Sequence, residues 1–299
     1  MNRLFTLLAH WPLPLLHGIG ALLGWLVYGL SPSYRRRLQA HARAAGLNAR
    51  QVHQAVAHAG KMVGELPWLW GRPQHEALGA TVQWRHPEVV EAALAEGRGL
   101  LLLTPHLGCF EVTAQAYAER FGAVKPITAL YRPAKQAWLA EMMKGSRNRL
   151  GMQTSPATLA GVRQMLRALK KGETVGLLPD QVPPEGMGVW APFFGRPAYT
   201  MTMAAKLVAQ TRCAVVILRG ERLGWLQRLR QGCSYIVHAE RVRPELEATL
   251  AGDDPIAAAT VVNQLMEHTI LHTPEQYLWG YNRYKGPRAE ILTSAGGDA

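Results

Sequence analysis

Three short apolar runs dictate most of what this chain can become. They are Leu100-Leu101-Leu102-Leu103 between Gly99 and Thr104, Thr174-Val175-Gly176-Leu177-Leu178, and Ala214-Val215-Val216-Ile217-Leu218. Each is too short for a helix and does not alternate with polar residues, so each reads as a strand buried on both faces. Residues 79–84, 124–131 and 235–239 are further strand candidates. Helical patterns lie between them, over 87–95, 110–121, 134–149, 159–170, 201–210 and 255–271, and a longer one covers 38–59. Pro87 suits the first turn of its helix. The proline-rich stretch 179–192 reads as a loop. Strands alternating with helices predict an α/β fold with a mixed, largely parallel sheet covered by helices. No linker or repeat divides the body.

Composition narrows the class. Of 299 residues, 48% are hydrophobic and 18% charged, which excludes bulk disorder. Thirty-three basic residues against 21 acidic leave a net charge of +12. That balance favours anionic partners: nucleic acid, a phospholipid surface, a phosphorylated substrate or an acidic protein. Three cysteines without a C-x-x-C pair argue against a disulfide scaffold and a structural zinc site, and suit reduced thiols in a cytosol-facing body.

The N-terminus is distinctive. Residues 4–34 carry no Asp, Glu, Lys or Arg, and about 20 apolar residues suffice to cross a bilayer core. Pro12, Pro14, His10 and His17 interrupt the run, so both a spanning and an interfacial anchor fit. A buried helix of a soluble body and a cleaved signal peptide are the competing readings. We expect a membrane anchor over 1–34 and a body over 35–299. Arg35, Arg36, Arg37 and Arg43 follow the run, and the positive-inside rule then puts the body in the cytoplasm.

The most informative local feature is Thr104-Pro105-His106-Leu107-Gly108-Cys109-Phe110-Glu111. It follows a buried strand, and ligands of open α/β sheets bind at the carboxyl ends of strands. If Gly108 bends the chain and Glu111 opens a helix, the carboxylate can hold one imidazole nitrogen and leave the other as a base. Taken alone, a His near a Glu is also an ordinary structural pair. Arg132 and Asp180 likewise fall at predicted strand ends, where a surface arginine and a loop cap are the plain alternatives.

The segment resembles the H-x4-[D/E] motif of the glycerolipid acyltransferase superfamily, and the longer pattern resembles the late acyltransferases of lipid A biosynthesis. Leu130-Tyr131-Arg132-Pro133 is similar to that family's Y-R-P block. Asp180-Gln181, Gly188, Pro192-Phe193-Phe194-Gly195 and Thr200 are similar to its D-Q...G...P-F-F-G block. Pro274-Glu275-Gln276-Tyr277-Leu278-Trp279, with Arg283 and Lys285, is similar to its C-terminal ending. The blocks fall in the family's order along nearly the whole chain. Leu107-Gly108-Cys109-Phe110 departs from the expected aromatic-Gly-Asn-Trp and alters the lining beside the dyad.

The resemblance implies transfer of a fatty acyl group from acyl carrier protein, an acidic donor, to a hydroxyl of a lipid A precursor. The reaction would run on the cytoplasmic face of the inner membrane without metal or cofactor. His106 is expected as general base, Glu111 as the residue that orients it, and Arg132, Asp180 and Arg283 as substrate-binding residues. Pro192-Phe193-Phe194 would line an acyl groove or pack the core. Two other functions stay open: acyl transfer to another membrane glycolipid or an aminolipid, and a non-catalytic, membrane-associated basic binding protein. Nucleic acid is not expected, because no nucleic-acid motif accompanies the charge.

Overall fold

The computed structural model describes residues 2–131 and 149–288. Arg132 and nearly all of the helix expected over 134–149 lie outside the described residues. A seven-stranded sheet carries the fold. In spatial order its strands are β1 (Val82–Arg85), β9 (Tyr235–Arg241), β8 (Ala214–Arg222), β2 (Leu100–Leu103), β5 (Thr174–Leu177), β3 (Ile127–Tyr131) and β4 (Met152–Pro156). All neighbours run parallel except β8 and β9. The expected largely parallel α/β sheet is therefore present.

Side chains of a strand alternate between faces, and the four leucines of β2 feed two cores. Leu100 and Leu102 pack toward α6 (Pro87–Ala95) and α7 (Phe110–Phe121), with Val90, Val112 and Ala116. Leu101 and Leu103 pack toward α8 (Leu159–Lys170), α9 (Met203–Thr211) and α12 (Pro255–Leu271), with Met165, Leu207 and Met266. Helices on both faces are why these runs need no polar side.

Two expectations need correction. The helix over 38–59 breaks into α3 (Pro32–Ala44) and α4 (Ala49–Gly64). Gly46 takes a φ of +85° between them. The Asn48 side chain then accepts from the Gln51 amide while the Gln51 side chain caps Asn48 in return, a reciprocal cap that starts a new helix. The loop over 179–192 also ends early. β6 (Gly188–Phe193) and β7 (Arg196–Met201) form an antiparallel hairpin through Phe194 and Gly195, both at positive φ.

The N-terminal segment folds onto the body. After α1 (Asn2–Ala9), Pro12 breaks the chain and α2 (Leu13–Leu30) runs antiparallel along α4. Gly20 and Gly24 face Gly60 and Gly64 so closely that a Cβ on Gly60 would sit 2.0 Å from the Gly20 carbonyl oxygen. Small residues let helix backbones approach this way. The opposite face of α2 presents Leu22, Leu23, Leu26 and Leu30 outward. By length and composition, α2 could cross a membrane, and only 22% of it is buried in the molecule.

Candidate active site

β2 and β5 are adjacent, parallel and in register, with Leu103 opposite Leu177. His106 lies three residues past the first and Asp180 three past the second, so the two chains leave the sheet side by side. Asp180 grips His106 twice. Its Oδ2 accepts from the His106 backbone amide at 2.8 Å and its Oδ1 meets Nδ1 at 2.7 Å. The Gln181 amide nitrogen lies 3.0 Å from Nε2. With Nδ1–H donating to the carboxylate and Nε2 accepting from Gln181, the ring is neutral and its basic lone pair is on Nε2. Phe110 packs against the ring at 4.7 Å between centroids.

The Asp180 carboxylate is fully buried. Burial pulls its pKa up, but the His106 imidazole whenever it is protonated, and the two hydrogen bonds of His106, pull harder, and it stays below the usual carboxylate range. The buried Tyr277 phenol beside it is pushed well up, by burial first and by Asp180 second. The imidazole keeps 15% of its side chain exposed. Nδ1 is held by the buried carboxylate, and Nε2 meets only the Gln181 amide.

The turn that carries His106 is tied down on both sides. Gly108 donates to the Gln276 carbonyl, Cys109 to the Gly220 carbonyl, and Leu278 to the His106 carbonyl. Gly108 has a φ of +57°, and a Cβ there would fall 1.9 Å from the Gly220 oxygen, so the glycine permits both the bend and the contact. Below the turn lies a buried ion pair. Arg222 donates to both Glu65 oxygens, at 2.8 and 2.6 Å, and to the Gly108 carbonyl at 2.8 Å. His17 of α2 and Tyr235 of β9 add hydrogen bonds to Glu65. Burial alone would raise the Glu65 pKa, yet Arg222 and His17 bring it down to about 2. The same cluster surrounds Cys109, whose thiol burial pushes up further, with the Glu65 charge adding to it. A buried thiol facing a carboxylate is a poor nucleophile.

The remaining expected residues fall in different places. Glu111 stands in the first turn of α7, half-buried, where a carboxylate suits the helix dipole. Among the described residues, the ring hydrogen bonds of His106 run to Asp180 on Nδ1 and Gln181 on Nε2. Glu111 and Phe110 instead line a narrow apolar cavity with Leu102, Ala114, Ile127, Leu130, Met152 and Leu177. Asp180 is enclosed behind the histidine, which removes it from direct substrate contact. Arg283 is only 2% exposed. It donates to the Tyr199 carbonyl, Thr200 Oγ1 and Asn263 Oδ1 and packs over Phe193. It braces the β6–β7 hairpin and offers no surface for a lipid phosphate. Phe193 belongs to that packed core as well. Gln181 was quoted as part of a motif block but not expected to act; its contact with Nε2 depends on the β2–β5 pairing.

Residues 2–286 match the family described as bacterial lipid A biosynthesis acyltransferase. The chain is 28% identical over 245 residues to the lipid A biosynthesis palmitoleoyltransferase of Escherichia coli (strain K12), covering 80% of this chain and 70% of that one. It is 27% identical over 229 residues to the lipid A biosynthesis lauroyltransferase of the same organism, covering 76% and 68%. A lipid A biosynthesis acyltransferase of Haemophilus influenzae is 27% identical over 195 residues, covering 64% and 55%. With the family match running almost end to end, the chain belongs to the bacterial lipid A biosynthesis acyltransferases.

Proposed function

We propose that this enzyme moves a fatty acyl group from an acyl carrier protein thioester to a hydroxyl of a lipid A precursor, with Nε2 of His106 as the base. The observation that carries this reading is the Asp180–His106–Gln181 chain at the carboxyl ends of β2 and β5, beside an apolar cavity. The acceptor hydroxyl takes the place of the Gln181 amide on Nε2 and loses its proton as its oxygen attacks the thioester carbon. Asp180 keeps Nδ1–H in place and stabilises the imidazolium. The tetrahedral oxyanion collapses, expelling the carrier thiolate, which recovers the proton from the imidazolium. Glu111 adds negative potential near the same imidazolium. Arg132, the residue after β3, serves the thioester oxygen or a lipid phosphate. The acyl chain enters the cavity beyond Phe110.

The basic chain suits both an acidic carrier protein and a phosphorylated lipid. We further propose that the outer face of α2 seats the protein on the cytoplasmic side of the inner membrane. Packing along α4 from Leu16 to Gly24 favours a helix lying in the interface. The test is a reconstituted reaction of the purified protein with acyl carrier protein charged with different chains and with lipid A precursor, read by mass spectrometry. Gain of one acyl mass on the precursor, dependent on His106, is the expected result. Acylation of a different glycolipid or aminolipid in a competition mixture, with the precursor untouched, would redirect the acceptor assignment.

A further inference from the structure

The helix α10 (Trp225–Gln231) leads away from β8 and carries an apolar surface into solvent. Trp225 is 70% exposed, Leu226 51% and Leu229 74%. At about 100° per residue, these three fall within an arc of about 100°. Arg228 and Arg230 flank that arc, one on each side. An apolar stripe edged by arginines, with a tryptophan among its residues, is the pattern of a helix lying at a membrane surface.

Position adds a second, independent observation. Trp225, Arg228 and Leu229 share a groove with Pro14, at the start of α2. Arg228 also lines the neighbouring groove with His10, Trp11 and Pro12, at the joint between α1 and α2. The stripe on α10 therefore lies beside the start of α2, the helix whose outer face is apolar.

We propose that α10 is a second membrane contact, seated in the headgroup region of an anionic phospholipid bilayer. Trp225, Leu226 and Leu229 enter the acyl boundary, and Arg228 and Arg230 meet lipid phosphates. The inference rests on the reading that the outer face of α2 sits in the same bilayer. One helix on a membrane leaves the body free to roll about its axis; a second contact to one side of it fixes that roll, and with it the direction of the cleft beside His106. A second copy of the chain is the poorer occupant, because it brings the same arginines and another +12 of charge. An acidic protein is excluded or favoured by the experiment itself.

Full-length protein is floated with vesicles of phosphatidylcholine alone or with added phosphatidylglycerol. Three variants are compared with wild type: Trp225→Ala/Leu229→Ser and Arg228→Gln/Arg230→Gln on α10, and Leu22→Ser/Leu26→Ser on α2. All the apolar positions changed are exposed, and thermal unfolding checks that each variant is folded. The apolar α10 variant should weaken partitioning about tenfold or more on both vesicles. The arginine variant should weaken it to a similar degree on anionic vesicles only. If the α2 variant is released while both α10 variants bind as wild type does, the α10 proposal fails and the α2 reading stands. If wild type does not bind, or every variant binds equally, both fail. If the α10 variants keep vesicle binding but lose affinity for acyl carrier protein, the face belongs to a protein partner and the proposal is overturned.

Discussion

Two acid–base pairs stand on opposite sides of the turn 106–109. Asp180 and His106 lie above it, Glu65 and Arg222 below it. Both carboxylates are buried and both have depressed pKa values. Their partners differ. Arg222 is 1% exposed along its side chain, donates to Glu65, to the Gly108 carbonyl and to His58 Nδ1, and cannot give up its proton. His106 is an imidazole held on Nδ1 by a carboxylate and met on Nε2 by a neutral amide. Burying a charge pair makes a clamp; a partly exposed histidine suits the base of the proposed reaction. The clamp also ties α2 to the turn, since His17 and Arg222 share Glu65.

The contrast can be broken from either side. His106→Ala should lower kcat by about 10²–10⁴-fold, the usual worth of a positioned base. Glu111→Gln should cost less than His106→Ala, since Glu111 acts through its charge. Steady-state transfer assays on folded protein check both. Below the turn the losses should be structural. Arg222→Met strands Glu65 in the core and should cost about 3–5 kcal/mol of stability, with part of it recovered in the double variant Glu65→Leu/Arg222→Met. Chemical denaturation measures this.

Acid should reach the lower cluster before the upper one. Burial, and then Arg222, hold His58 down to about 2 against 6.5 in the unfolded chain. Between those values the unfolded chain binds more protons, so stability falls as pH drops below about 6.5. Glu65, at about 2 against 4.5, contributes stability above 4.5 that is lost as pH falls further. Asp180 contributes in the same direction. A melting temperature that declines below about pH 6.5, and declines less steeply in His58→Leu, is the expected result. The smallest effect should follow Cys109→Ala. It removes a buried thiol at a cost of about 1 kcal/mol and should leave transfer within a few-fold. A hydroxylamine-sensitive acyl group trapped on Cys109 would contradict the direct-attack mechanism.

What could be read from the chain follows from where the information lies. The buried strands were legible because apolar runs such as 100–103 have no other use, and helices 87–95, 110–121, 159–170 and 255–271 because their caps and breakers are local. The split at Gly46 was missed although its signals, a glycine and the Asn48–Gln51 cap, are present in the sequence. The hairpin 188–201 was hidden by its prolines. The turn at His106 was legible, but its contact with Asp180 was not. Which strand lies beside β2 depends on a long-range choice: β3 and β4 come between in the chain, yet β5 inserts next to β2. Glu111, five residues away, was the nearest carboxylate in sequence; Asp180, 74 residues away, is the one the sheet delivers. The close approach of α2 to α4 was not read from the sequence, although the glycines that permit it are spaced four apart in both segments, at 20 and 24 and at 60 and 64.

The central claim is that Asp180 works through His106. A double-variant cycle tests it directly, with kcat/KM for acyl transfer measured for wild type, Asp180→Asn, His106→Ala and the double variant. Asp180→Asn alone should lose on the order of 10²-fold, because an amide can hold the ring in the wrong tautomer. Once the imidazole is gone, Asp180 has nothing left to position, so the double variant should fall no further than His106→Ala. Losses that multiply, with the double variant lower than His106→Ala by the full Asp180→Asn factor, would show that Asp180 acts on the reaction independently and would contradict the account.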